Sequence, residues 1–159
     1  MHLIQAFFYV ALLVATPIFA APAGKSAPTA PSTVTCKPTT NASSTKTFKV
    51  SVSRAKDEMT KAGLNTGKSG DPHVYGNTDK IKWGVGACDK AGAHLLEYPV
   101  FWEGQKANWE KNEYTALQAK TPIRVVYANA NGAAVYCGVM THAKVTKEFK
   151  GEDYFVKCE

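Results

Sequence analysis

Past its first twenty residues, this chain gathers its apolar positions into three short runs. The most apolar is Val135 to His142, VYCGVMTH, β-branched and aromatic, with no charge before its terminal imidazole. Such a run reads as a central strand buried on both faces. Strict alternation puts Tyr136, Gly138, Met140 and His142 on one face and Val135, Cys137, Val139 and Thr141 on the other. Cys137 is then expected to anchor the strand from behind His142. In Leu95 to Phe101, LLEYPVF, the same alternation sets Glu97 among Leu95, Pro99 and Phe101, and in Ile123 to Tyr127, IRVVY, it sets Arg124 beside Val126. An unpaired buried charge costs several kcal/mol, so three neighbouring strands that each bury one predict a cluster of Glu97, Arg124 and His142. A structural cross-strand pair of Glu97 with Arg124 would account for two of the three and leave the histidine unexplained.

Around these runs the other elements fall into place. Thr47 to Ser51 alternates as a short edge strand, and Ser53 opens SRAKDEMTKAG, a helix of about ten residues with a hydroxyl N-cap and a terminal Gly63. Ala55, Met59 and Ala62 give that helix one narrow apolar face. Leu64 to Asp79 reads as a loop containing His73, Ile81 to Val85 as a short strand leading to Cys88, and Asn129 to Gly132 as a hairpin turn. Tyr154 to Cys158 is a last strand, and His94 is expected to be exposed where its strand begins. One helix followed by several antiparallel strands makes an α+β domain, one N-terminal helix on a twisted sheet. The segment Trp102 to Thr121 interleaves Trp102, Trp109 and Tyr114 with Lys106, Lys111 and Lys120. Either it stacks on unpaired bases, or it packs its own aromatics against the domain.

The 159 residues, 45% of them hydrophobic, suffice for one domain with a real core. Residues 3–19 are apolar and end before Ala20-Ala21, which predicts a signal peptide over 1–20 and a secreted, extracellular product with no membrane anchor after cleavage. Residues 21–35, rich in Ala, Pro, Ser and Thr, read as a flexible leader before a domain at 36–159. The formal charge of +6 is consistent with a polyanionic partner. Asn41-Ala42-Ser43 is a glycosylation acceptor. Four cysteines at 36, 88, 137 and 158 favour two disulfides in three possible connectivities, and their spacing contains no C-x-x-C. A zinc site built from His73, His94, His142 and Glu97 would lack the usual ligand spacing.

Pro72-His73, Leu96-Glu97-Tyr98-Pro99, Ile123 to Tyr127, Cys137 to His142 and Phe155 to Cys158 together resemble, in that order, the secreted fungal guanyl-specific ribonucleases and their ribotoxin cousins of the sarcin kind. The resemblance implies the pairing Cys36–Cys158 and Cys88–Cys137, of which the first ties the two ends of the domain together. It implies a site on the concave face of the sheet, with Glu97 as general base and His142 as general acid. Arg124 and His73 would stabilise the phosphate, and Phe155 would lie against it. Tyr75, Gly76, Asn77 and Asp79 map to the family's base-recognition loop, Tyr75 by stacking and Asp79 by accepting from guanine. The partner implied is RNA, single-stranded or ribosomal, cleaved by a monomer through a 2′,3′-cyclic phosphate with no metal or other cofactor. Two features depart from the family. Asp71 stands where a tyrosine is usual, expected to repel the phosphate, and the span from His73 to Glu97 lacks the long basic insertion of ribotoxins. The competing reading is a noncatalytic RNA- or protein-binding effector on the same fold, which keeping both Glu97 and His142 argues against.

Overall fold

Ser51 is both the end of a strand and the start of the helix. Its Oγ accepts from the Arg54 amide, so the N-cap falls two residues before the expected Ser53, whose hydroxyl bonds to Ser51 at 2.8 Å. The helix α1 (Val52–Ala62) ends at Gly63, whose φ of +62° suits a residue without Cβ. Its buried face includes Ala55 and Ala62 as the spacing predicts, and also Glu58.

The computed structural model describes residues 31–159. The predicted signal peptide and residues 21–30 of the predicted leader lie outside the described residues. Within 31–159 the first strand, β1 (Thr33–Cys36), begins inside the stretch read as leader and pairs with β3 (Phe48–Ser51) in a two-stranded ribbon. The short edge strand expected over Thr47 to Ser51 is thus present as β3, in this ribbon and outside the main sheet.

The main sheet is assembled from β4 (His73–Val74), β5 (Leu95–Pro99), β6 (Ile123–Ala130), β7 (Ala133–Val145) and β8 (Gly151–Lys157). Neighbours run antiparallel in the order β4, β5, β6, β7, with β8 also on β7. A two-residue β2 (Thr40–Asn41) is the exception, running parallel to the end of β7. Asn131 and Gly132 make the β6–β7 turn with φ of +54° and +87°, the two-residue geometry that Asn-Gly favours. Ile81 to Val85 forms no strand. Asp89, at the end of the short α2 (Gly86–Asp89), accepts the amides of Trp83 and Gly84 and curls the segment into a loop.

Two clusters occupy the two faces of the sheet. Between the sheet and α1 lie Val125, Tyr127, Val139, Leu96 and Tyr98 with Phe48, Trp102 and Trp109. Both tryptophans are core residues, so the Trp102 to Thr121 segment packs on the domain, and Arg54 pins it through the carbonyls of Gln105 and Ala107. On the other face Val126, Met140, Leu95 and Trp83 surround the Cys88–Cys137 disulfide. The second disulfide, Cys36–Cys158, joins β1 to the end of the chain, as the resemblance implies.

Cys137 sits on the same side as Met140, not behind it. The β6–β7 register passes from Val126 opposite Gly138 to Tyr127 opposite Tyr136, and Cys137 is the extra residue of a bulge. One inserted residue reverses the alternation before it, so Tyr136 turns to the helix, with Lys56 over its ring, and Val135 joins the disulfide cluster. No helix among the described residues is long and apolar enough to cross a membrane.

Candidate active site

Register brings the ionisable residues together. Glu97 pairs across the ladder with His73 on one side and Val126 on the other, while Arg124, two residues before Val126, pairs with Met140. Glu97, Arg124 and His142 therefore share the face of the sheet turned away from α1, and His73, read as part of a loop, is an edge-strand residue brought directly onto Glu97.

The His73 ring bridges two carboxylates. Its Nε2 lies 2.8 Å from Glu97 Oε1 and its Nδ1 2.9 Å from Asp71 Oδ1. Since an ionised carboxylate only accepts, both ring nitrogens donate, and the ring is an imidazolium. The hydrogen bond to Asp71, then that to Glu97, raises its pKa to about 9 against the opposing effect of burial. Asp71 thus does not face the phosphate as an unpaired charge. It is 7% exposed, bonded to His73 and to the Ser69 hydroxyl through its own amide, and it holds His73 cationic.

Glu97 is 4% exposed. Its Oε1 receives His73 and lies 3.9 Å from Arg124 Nε, while Oε2 is buried without a partner. That free oxygen can accept a proton from a ligand hydroxyl. Arg124 donates through Nη1 to the carbonyls of Thr121 and Ile123, which fixes the guanidinium, and its Nε is left without an acceptor. Burial works against its charge, the Glu97 carboxylate favours it, and it remains a cation.

His142 is held by β8. It pairs with Phe155, the two rings lying 4.0 Å apart, and its Nδ1 donates to the Asp153 carbonyl at 3.0 Å. Asp153 has a φ of +64° and is the extra residue where the β7–β8 register shifts, so a bulge supplies this carbonyl. With Nδ1–H committed, Nε2 is the ring nitrogen left free to give or take a proton. Burial lowers the His142 pKa, Asp153 partly opposes it, and the charges of Arg124 and Glu97 both act on the ring.

The loop after His73 departs from the sequence expectation. Tyr75 is 7% exposed, with its ring edge-on to Trp83 and Phe155, so it is a core residue and not an open stacking platform. Its hydroxyl donates towards Asn77 Oδ1 and Asp79 Oδ2, at 3.2 and 3.3 Å. Asn77 spends its amide on the Ile81 backbone, closing the loop. Only Asp79 keeps an uncommitted carboxylate oxygen. On β2, at the opposite edge of the sheet order from β4, Asn41 Nδ2 donates to the carbonyls of Thr45 and Lys46, and a glycan on that nitrogen would leave a hydrogen for only one of them. His94 is exposed at the entry to β5, and no group of three His, Cys, Asp or Glu among the described residues could hold a metal ion.

Two positions carried no sequence signal. A Cβ on Gly151 would clash with His142 Cδ2, and one on Gly138 would lie 2.9 Å from the Trp83 ring. Each glycine therefore makes room for a ring.

A family model described as ribonuclease matches residues 35–159. Hirsutellin A from Hirsutella thompsonii is 51% identical, the match covering 81% of this chain and 100% of that one with a TM-score of 0.70. Ribonuclease clavin from Aspergillus clavatus is 29% identical over 100 residues, covering 56% of this chain and 52% of clavin. The chain thus spans about half the length of that curated relative. The Aspergillus ribotoxin restrictocin, 22% identical, shares the fold at a TM-score of 0.62 over 80% of this chain and 99% of its own.

Proposed function

This chain belongs to the ribonuclease family, and we propose that it is a secreted, monomeric endoribonuclease that cuts single-stranded RNA after guanines without a metal ion. The observation that carries the reading is the unpartnered Glu97 Oε2 beside two cations, on the same sheet face as His142. Glu97 takes the proton of a ribose 2′-hydroxyl, and that oxygen attacks the adjacent phosphorus. His142 Nε2–H protonates the departing 5′-oxygen, leaving a 2′,3′-cyclic phosphate. Water then opens the cyclic ester with the two roles reversed. His73 and Arg124 stabilise the extra negative charge on the phosphoryl oxygens. The Phe155 ring packs at a tilt of 38° against His142 and gives the phosphate an apolar neighbour.

Guanine preference rests on Asp79. Its free oxygen can accept from N1 and N2 of guanine, while Tyr75 holds the other oxygen and supports the loop from below. Retention of both base and acid disfavours a noncatalytic effector. Secretion is supported by the apolar segment at residues 3–19.

The test is to incubate the disulfide-bonded protein in EDTA with labelled single-stranded RNA containing all four bases, beside a Glu97→Gln control, and to map the ends. Cuts after guanine with cyclic phosphate termini, absent in the control, are expected. RNA that is bound but intact would establish the effector reading instead.

A further inference from the structure

Residues 109–115 join the two backbone segments that carry the His73 partners. At one end the hydroxyl of Tyr98, a core residue that follows Glu97 in β5, donates to the Trp109 carbonyl at 3.1 Å. At the other end the segment meets the turn at 66–72, which carries Asp71. The Ser69 amide donates to the Lys111 carbonyl at 3.0 Å, and the Thr115 hydroxyl donates to the Ser69 carbonyl at 2.6 Å. Ser69 Oγ then accepts from the Asp71 amide at 3.1 Å.

The turn and the segment approach more closely than a side chain allows. A Cβ on Gly67 would clash with the Lys111 carbonyl oxygen and would lie 2.9 Å from Asn112 Oδ1. The φ of Gly67 is not positive, so contact and not conformation requires glycine there. The segment is itself held in place. Lys111 Nζ donates to the Ala62 carbonyl at the end of α1 at 2.6 Å, and Gln118 accepts from the Glu110 amide at 2.7 Å and donates to its carbonyl at 3.0 Å.

We propose that residues 109–115 are a positioning brace, which fixes the turn bearing Asp71 against the strand bearing Glu97 at the separation where the His73 ring reaches both carboxylates. That ring has little slack, since its bonds of 2.9 and 2.8 Å already lie in the narrow range of charge-assisted contacts. Gly67 and Thr115 act only through Asp71 and His73. The effect on cleavage rests on the function proposed above, whereas the effect on the His73 charge does not.

The experiment uses the full disulfide-bonded protein and reads the His73 pKa by proton NMR beside kcat and KM for RNA cleavage. Asp71 and Glu97 are the charged groups that act on His73, so its pKa reports how well the turn is seated. In Gly67→Ala the pKa is expected to fall from about 9 towards the ordinary value of about 6.5, and kcat to drop by about 10- to 100-fold with KM changed far less. Thr115→Val keeps the shape and removes the donor, so it should lower the pKa and reduce kcat by about three- to tenfold, and Thr115→Ser should restore both. If Gly67→Ala does not fold, the Thr115 pair decides. Variants that melt earlier yet keep the His73 pKa and kcat of the unaltered protein would overturn the brace, as would equal values in Thr115→Val and Thr115→Ser. A His73 pKa that falls as expected in a protein that cleaves no RNA would leave the brace standing and refute the proposed cleavage reaction.

Discussion

His73 and Glu97 face each other across the β4–β5 ladder, with 2.8 Å between Nε2 and Oε1. A cation so close to a carboxylate keeps one of its oxygens occupied and leaves the other, which is buried, without a partner. Replacing Glu97 by Gln keeps the volume and removes the base. We expect kcat for RNA cleavage to fall by about 10²- to 10⁴-fold with the fold retained. Single-turnover cleavage and far-ultraviolet circular dichroism check both halves, and a loss under tenfold would move the base elsewhere.

Asp71→Asn should discharge His73. The Asp71 hydrogen bond is the largest cause raising that pKa to about 9, so the variant ring should titrate nearer the ordinary histidine value of about 6.5. Because the folded-state pKa is the higher one, His73 stabilises the fold fully below pH 6.5. That contribution is lost as pH rises through about 9. Half of the side chain is exposed, so the effect is modest. Proton NMR of the His73 ring gives the pKa directly, and chemical denaturation at pH 6 and pH 9 should show a shallower decline in Asp71→Asn than in the unaltered protein.

The pH profile separates the two histidines. The proposed mechanism requires Glu97 ionised and His142 protonated, and burial lowers the His142 pKa while His73 stays charged to about 9. The alkaline limb of kcat/KM should therefore begin below pH 6.5 and fall tenfold per unit, an acidic optimum. A limb centred near 9 would assign the general acid to His73.

Much of this site was legible because strand alternation is simple. Glu97, Arg124 and His142 each broke an apolar run, and burying a charge demands a reason. Alternation failed where the chain added a residue. The bulge at Cys137 reversed the faces of Val135 and Tyr136, and nothing in VYCGVMTH marks it. The base-recognition loop misled for a related reason, since Tyr75 and Asn77 have the right types for stacking and hydrogen bonding but spend them on Trp83, Phe155 and Ile81. Asp71 was noticed, yet its sign was misjudged, because residues two apart on an extended segment share a face and its nearest charge is the His73 imidazolium.

Gly151 should be as sensitive as a catalytic position although it carries no side chain. A Cβ there would clash with His142 Cδ2, and the ring, packed at a tilt against Phe155 and bonded to Asp153, must shift. Misplacing a reacting group by about 1 Å costs on the order of 100-fold, so Gly151→Ala should lose most of its kcat with KM changed far less. Gly86→Ala, where a Cβ meets nothing within 4 Å, is the control. Equal kinetics for the two variants would show that His142 tolerates displacement.

Trp102 and Tyr114 belong to the same lysine-studded segment and should behave oppositely. Trp102 is 5% exposed and packs against Phe48 and Phe149 at ring separations of 4.8 and 4.9 Å, while Tyr114 is 63% exposed. Trp102→Ala opens a cavity in the helix-side core and should cost about 3–5 kcal/mol. Tyr114→Ala should stay within about 0.5 kcal/mol of the unaltered protein. Urea unfolding monitored by circular dichroism gives both values. If Tyr114→Ala instead weakens RNA binding at unchanged stability, the exposed tip of the segment is a stacking surface even though its tryptophans are core.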